Sequence, residues 1–282
     1  MIILNLKGGL GNQMFQYALG RKLALKNNTA LKLDISGYPR QTLRQYGLGD
    51  FNIVEEIATP EEVRKLKYPF GLCSKLARRF RFKILRRFHI GWEPGILEAG
   101  DNIYLDGFWQ SYKYFDDVTE TLKKEFTLKQ PLSPASTELS AQILSADSIS
   151  LHIRRGDYVS NPKTRKHHGI CDLDYYRKAV KLITEKVPTP TFFVFSDDID
   201  WVKQNLDIGF PTVYVSRPEL GDSEELVLMS RCHHHIIANS SFSWWGAWLG
   251  INSEKIIISP TKWVNNNSVK MNDLIPKTWL KI

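Results

Sequence analysis

The 282-residue sequence is short of the features that would take it out of the ordinary globular class. Cysteine is scarce. Cys73, Cys171 and Cys232 are widely spaced, odd in number and in no CxxC pair, which argues against a disulfide framework and fits a reducing compartment. No run approaches the roughly 18 apolar residues that span a bilayer. The opening MIILNLKGGLGNQ reaches Lys7 and then glycines too soon for a signal-peptide apolar region, so the expected location is the cytoplasm. Fixed-period repeats are absent, which excludes solenoids and arrays. Acid is missing from residues 63–92, which carry ten Lys or Arg and could alone account for the formal net charge of +8. What is present is 43% hydrophobic and 24% charged residues, the balance of a chain that folds around a core.

The first segment alternates simply: a strand MIILNL, a turn KGGLGN, a helix from about Asn12 to Lys26, then a strand ALKLD. From Ser148 the rhythm returns with the β-rich runs ISLHI, TFFVFS, TVYV, HIIAN and KIIIS, separated by helical spacings such as YYRKAVKLI and SEELVLMSRC. Strands alternating with helices predict α/β architecture, with parallel sheets covered on both faces. The Pro/Ser stretch KQPLSPAST at 129–137 reads as a linker, giving domains 1–135 and 136–282. Two doubly wound units would put a cleft between them, and ligands in such sheets bind beyond the carboxyl ends of the strands.

Four constellations lie just there. His152-Ile153-Arg154-Arg155-Gly156-Asp157-Tyr158 follows SISL, and its two guanidiniums could donate bidentate hydrogen bonds to a diphosphate; the bland alternative is a surface pair bridged to Asp157. Asn239-Ser240-Ser241-Phe242-Ser243-Trp244-Trp245-Gly246 follows HIIA and opens a helix, where hydroxyls and N–H groups can hold an anion or simply cap. Trp244, Trp245 and Trp248 are expected to pack in the core. Ser196-Asp197-Asp198 follows TFFVF, where a carboxylate could accept from a guanine edge or a ribose, or cap a helix. These adjacent carboxylates are a poor metal pair beside two arginines that already supply countercharge.

The fourth is the loop Gly8-Gly9-Leu10-Gly11-Asn12-Gln13, whose glycines permit close backbone approach while Asn12 and Gln13 bring amides to the helix start. It fails as a dinucleotide fingerprint, because the third glycine of GxGxxG is missing and Asp34 is an unconvincing ribose ligand. His233-His234-His235 raises a zinc hypothesis with Cys232, His167, His168 and Cys171. Neighbouring residues on a strand rarely aim at one centre, so a structural role is expected.

At these residues the sequence resembles the bacterial α-1,2-fucosyltransferase family, and more distantly the α-1,6- and protein O-fucosyltransferases. GGLGNQMFQYALG at 8–20, HIRRGDY at 152–158, SDD at 196–198 and NSSFSWWGAWLG at 239–250 occur in the family's order and span most of the chain. The resemblance implies a GT-B-like architecture, with acceptor recognition in the N-terminal half and GDP-fucose bound mainly by the C-terminal half. It places Arg154 on the diphosphate, Asp197 near guanine, His152 near the nucleotide, and Asn239, Ser240, Ser241 and Ser243 near the β-phosphate. Arg155 and Gly11 join the donor side, while Asn12 and Gln13 face the acceptor. The implied reaction moves L-fucose from GDP-β-L-fucose to the 2-hydroxyl of a terminal β-galactoside, with inversion and no metal cofactor.

Leaving-group stabilisation by Arg154, Arg155 and N–H groups near Ser241 is then the main catalytic device. Asp157 is the first candidate for general base, with Asn12 orienting the hydroxyl; bracing an arginine is the equal alternative for Asp157. KLARRFRFKILRRF at 75–88 spaces Leu76, Phe80, Ile84 and Phe88 four apart among cations. Such a helix could rest on the inner face of the plasma membrane where lipid-linked glycans are built, or pack on its own domain. Two other readings stand beside this one: a glycosyltransferase with another nucleotide sugar or linkage, and a nucleic-acid-binding protein suggested by a pI near 9.2 but leaving the RRGD and SSFSWW turns unexplained.

Overall fold

A computed structural model describes residues 1–40, 44–67, 91–162, 165–166, 169–265 and 273–282, apart from the side chains of Arg40 and Asp157. The basic segment 75–88, Cys73, His167 and His168 lie outside the described residues. The chain divides into two compact units, Met1–Lys129 with Lys270–Ile275, and Gln130–Val269 with Pro276–Ile282.

The first unit is built from β1 (Ile2–Asn5), α1 (Leu10–Lys26), β2 (Leu31–Asp34), α2 (Pro60–Lys67), β3 (Ile103–Leu105) and α3 (Thr119–Glu125). The strands form a parallel sheet in the order β2-β1-β3, with Leu4 opposite both Leu33 and Leu105. Side chains on neighbouring strand residues point to opposite faces, so a run such as Ile-Ile-Leu must be covered twice. On one face α1 sits close because Gly20 has no Cβ; one added there would come within 3.0 Å of Leu31 and 3.2 Å of Leu4. On the other face Ile3 and Tyr104 meet Val63 and Leu66 of α2. Buried Glu125 ties α3 to α1, accepting from Tyr17 Oη at 2.6 Å and Arg21 Nε at 2.8 Å.

The second unit holds α4 (Pro134–Leu144), β4 (Asp147–Ile153), α5 (Gly156–Ser160), α6 (Leu173–Thr184), β5 (Pro190–Ser196), α7 (Ile199–Asn205), β6 (Thr212–Tyr214), α8 (Asp222–Arg231), β7 (His234–Ile236), α9 (Ser241–Trp248), β8 (Ile257–Ser259) and β9 (Leu280–Lys281). All pairings are parallel, in the order β6-β5-β4-β7-β8-β9. Counted within the unit this is the dinucleotide-fold order 3-2-1-4-5-6, which reverses direction between β4 and β7. β5 shows why both faces are covered: Phe192 and Val194 pack with Tyr176 of α6 and Val202 of α7, while Phe193 and Phe195 pack with Ile143 of α4 and Met229 of α8.

The boundary between the units, at 129/130, falls inside the stretch expected to be a linker. Its second half opens α4, where Pro134 occupies the first turn and the Ser133 hydroxyl caps the helix by accepting from Ser136 N at 3.3 Å. The chain's last residues return to add β9 to the second sheet. Trp244 and Trp245 are fully buried, with rings 5.1 Å apart at 75°, and Gly246 lets α9 press on Met229 of α8.

Candidate functional site

The second sheet's turnaround brings three strand ends side by side. Arg154 leaves β4, Asp197 leaves the neighbouring β5, and Asn239-Ser240-Ser241 leaves β7 on the other side. The register pairs Ile153 with Ser196, so residues 154 and 155 emerge beside 197 and 198.

The two arginines part company there. Arg154 Nη1 lies 2.9 Å from Asp197 Oδ2, its guanidinium stands 5.5 Å from the Tyr158 ring, and its side chain keeps 19% of its surface open. Arg155 instead points away: its Nε reaches Asp198 Oδ2 at 3.1 Å and its guanidinium stacks 3.4 Å from the centre of the Trp201 ring. A fork engaged by a carboxylate and an indole face braces the strand end.

Asp197 is also a brace. Oδ1 accepts from Arg155 N at 2.8 Å while Oδ2 holds Arg154. The contact demands glycine next door, because a Cβ on Gly156 would overlap Asp197 Oδ2. Asp198 caps α7, accepting from Trp201 N at 3.4 Å. Each Asp197 oxygen thus already accepts a hydrogen bond within the protein.

His152 is 4% exposed at the end of β4, with its Nδ1 buried and unpartnered among the described residues. Burial, and then the Arg154 charge, push its pKa down to about 3, so the ring is neutral. Its ring lies 5.8 Å from that of Phe242.

In the serine-rich turn, Ser240 begins α9 without a side-chain cap, which leaves the helix N-terminus to its backbone N–H groups. Ser241 is half-buried. Two members bond within the protein. Ser243 is fully buried and donates to Ser240 O at 3.3 Å, so it packs. Asn239 is 3% exposed and spends its amide on Trp263 O at 3.2 Å and on the Cys171 thiol at 3.5 Å, while its carbonyl takes the Tyr158 hydroxyl at 3.4 Å. Both support the turn from behind. Asp157 lies in α5 with its side chain outside the described residues.

In the first unit, Gly11 is buried in the first turn of α1. Gly8 has φ +81°, and a Cβ there would sit 2.6 Å from Asn12 Nδ2. Half-buried Asn12 takes Gln110 Nε2 on its Oδ1 at 2.6 Å. Gln13 is fully buried: Nε2 donates to Gly8 O and Gln45 O, and Oε1 accepts from Gly47 N at 3.0 Å. With both ends of its amide engaged, Gln13 secures the loop at 45–47. Asp34 is likewise internal, accepting from Tyr104 Oη at 2.6 Å.

The histidine run is structural. His235 is fully buried with Nδ1 2.8 Å from Ser150 Oγ, and His234 Nδ1 accepts from Ile256 N at 3.0 Å. Among the described residues no group of three or more His, Cys, Asp or Glu is placed to hold a metal ion, and no helix is long and apolar enough to cross a membrane.

Sequence reasoning missed Glu225. On α8, its Oε2 accepts from Ser216 Oγ at 3.0 Å, and that hydroxyl accepts from Ser196 N at 2.9 Å at the end of β5. Burial, reinforced by Asp222 and Asp197 and opposed by Ser216, raises its pKa to about 7. Among the described residues no arginine pairs with the Glu225 carboxylate. In sequence it reads as one more polar position of an amphipathic helix; only its spacing to the Asn239 turn could have hinted at the site.

A glycosyl transferase family 11 model matches residues 1–282. An α-1,2-colitosyltransferase of Escherichia coli is 38% identical over 296 residues, covering 100% of this chain and 99% of that protein. The O-antigen biosynthesis glycosyltransferase WbnK of Escherichia coli is 32% identical over 312 residues, covering 98% and 99%. The fucosyltransferase NodZ from Bradyrhizobium superposes with a TM-score of 0.55 at 15% identity, covering 87% of this chain and 91% of that one, a likeness of fold. With its α/β parallel sheets and a guanidinium presented at the turnaround of the second, the chain belongs to glycosyl transferase family 11.

Proposed function

We propose that this protein moves L-fucose from GDP-β-L-fucose to the 2-hydroxyl of a terminal β-galactoside, inverting the anomeric centre to an α-1,2 linkage, in O-antigen or related glycan synthesis on the cytoplasmic side of the membrane. The supporting observation is Arg154, held by Asp197 where β4 and β7 diverge, next to the uncapped start of α9. That is where a doubly wound sheet takes a phosphorylated ligand. In this reading unit 2 holds the donor and unit 1 the acceptor.

The chemistry follows from where charge develops. As the glycosidic C–O bond to the diphosphate breaks, negative charge gathers on the leaving oxygens, and the sugar takes on oxocarbenium character. Arg154 and the N–H groups at Ser241 meet that charge, so no metal is needed; each preorganised donor supplies several kcal/mol. The attacking 2-hydroxyl approaches the opposite face, with Asn12 orienting it and Asp157 taking its proton. Glu225, instead of Asp197, accepts the paired N–H donors of the guanine edge, and neutral His152 lines the nucleotide.

A second donor is favoured by one finding, the 38% identity to an α-1,2-colitosyltransferase. Colitose is the 3-deoxy form of the same sugar, so GDP-colitose would present the same diphosphate and the same leaving-group problem. Thermal shifts with GDP, UDP and ADP test the nucleotide: a ligand that binds only the folded state raises the Tm, and GDP alone should do so strongly. Comparing kcat/KM for GDP-fucose and GDP-colitose on a β-galactoside panel, with the linkage assigned by NMR, then decides the sugar. Stabilisation by UDP or ADP equal to that by GDP would overturn the guanine assignment.

A further inference from the structure

The parallel strands of unit 1 end together, Asn5 opposite Asp34 on one side and next to Asp106 on the other. Asp106 has no part in the chemistry above. Among the described residues its two hydrogen-bond donors, Lys7 Nζ at 2.6 Å and Asn5 Nδ2 at 3.0 Å, converge on Oδ1. Oδ2 accepts no hydrogen bond among the described residues, and 23% of the side chain is open. Burial alone would raise this carboxyl's pKa, but the Lys7 ammonium and the Asn5 amide outweigh it and keep it ionised. An ionised carboxylate held on one oxygen is a poor proton acceptor and a strong hydrogen-bond acceptor on the other.

The loop that follows is rigid. Trp109 is fully buried at φ +52°, a left-handed conformation that costs a bulky side chain on the order of 1–3 kcal/mol. Its indole fills the space above Gly107, where a Cβ would come within 2.6 Å of the ring, and it meets Tyr114 edge-on at 6.1 Å. The anchored Trp109 sets its two neighbours. Phe108 is half-buried with Lys7 Nζ 5.0 Å from its ring centre, and Gln110 reaches across to Asn12 at the start of α1. A carboxylate, an ammonium and an aromatic ring beside the amide of Asn12 have the make-up of a pyranose site: polar groups fix hydroxyls, and the ring covers the sugar's C–H face.

We propose that Asp106, seated on Lys7 and Asn5 and flanked by Phe108, binds the acceptor sugar by accepting a hydrogen bond from a ring hydroxyl on Oδ2. This rests on the proposed function for the identity of the sugar, a β-galactoside, and makes Asp106 a specificity residue.

The test uses Asp106→Asn, which keeps the shape and an acceptor for Lys7, with Phe108→Ala as a second variant. Each should raise the KM for lactose about tenfold, equivalent to about 1.4 kcal/mol, with kcat and the Kd for GDP within twofold of wild type. A readout independent of any donor is saturation-transfer NMR with methyl β-galactopyranoside, expected on the wild type and strongly reduced in both variants. An unchanged KM, equal saturation transfer in all three proteins, or none on the wild type overturns the proposal. So does a parallel loss of GDP affinity and Tm, which would make Asp106 merely structural. Wild-type protein that binds the galactoside but ignores GDP counts against the proposed function and leaves the Asp106 site standing.

Discussion

Replacing Arg154 by alanine should lower turnover by two to three orders of magnitude while leaving the fold nearly as stable as before. The first half rests on what the guanidinium does. Removing one preorganised donor from a developing oxyanion costs roughly 10²–10³ in kcat, about 2.7–4 kcal/mol. The second half rests on what the structure holds. Arg154 and Asp197 pair at 2.9 Å with 19% and 25% of their side chains open, and ion pairs this accessible contribute about 0–1 kcal/mol to stability. Each kcal/mol lost lowers the Tm of a chain this size by about 2–4 °C, so the melting curve should move little. Arg154→Lys refines the test, since it keeps the charge and loses the fork; intermediate turnover is expected. The assay is initial-rate GDP release from GDP-fucose with saturating β-galactoside, run beside thermal melts. Turnover within threefold of wild type, or a loss matched by unfolding, would refute the reasoning.

Three further outcomes are expected. In Gly156→Ala the new Cβ displaces the Asp197 carboxylate, so turnover should drop at least about tenfold with a Tm loss larger than that of Arg154→Ala, read by the same assay and melts. Glu225 has its pKa raised from an ordinary 4.5 to about 7, and guanine binds the ionised form. GDP affinity measured by calorimetry should therefore rise about tenfold from pH 6 to pH 8 and level off above, and Glu225→Gln should be weaker and lose that part of the pH dependence. An equal slope in both proteins would return Glu225 to a structural role. Excess EDTA should leave the transfer rate unchanged; a rate restored only by Mg²⁺ or Mn²⁺ would remove the metal-independent mechanism.

Much of the second unit was legible in its apolar runs. ISLHI, TFFVFS and KIIIS are buried on both faces, as parallel strands must be, and the chemically marked turns stand at their carboxyl ends. β3 and β9 were not visible, because three and two residues carry no period and their pairing is decided by distant partners. KQPLSPAST is part connection and part helix start: proline and serine mark both, and Glu224, taking Ser133 N at 2.6 Å, fixes where α4 begins.

Within the candidate site, sequence marked the turns that the second sheet brings to its strand ends, but not the partners their side chains take. Adjacent residues on an extended strand end point in different directions, so Arg154 and Arg155 part company, and nothing local says which partner each takes. Trp201 decides, by offering its ring to Arg155. Gln13 and Asn239 look like ligand amides because they sit beside glycines and serines. Their burial at 0% and 3%, with amides spent on backbone carbonyls, comes from contacts 32 and 24 residues away. Glu225 was invisible because its partner, Ser216, and the Ser196 amide behind it are joined only in the folded sheet.

The most direct measurement is a crystal structure with GDP bound. The account predicts the β-phosphate on the Arg154 guanidinium and the first N–H groups of α9, with guanine on Glu225 beside His152. GDP lodged elsewhere, with Arg154 still turned only toward Asp197, would contradict it.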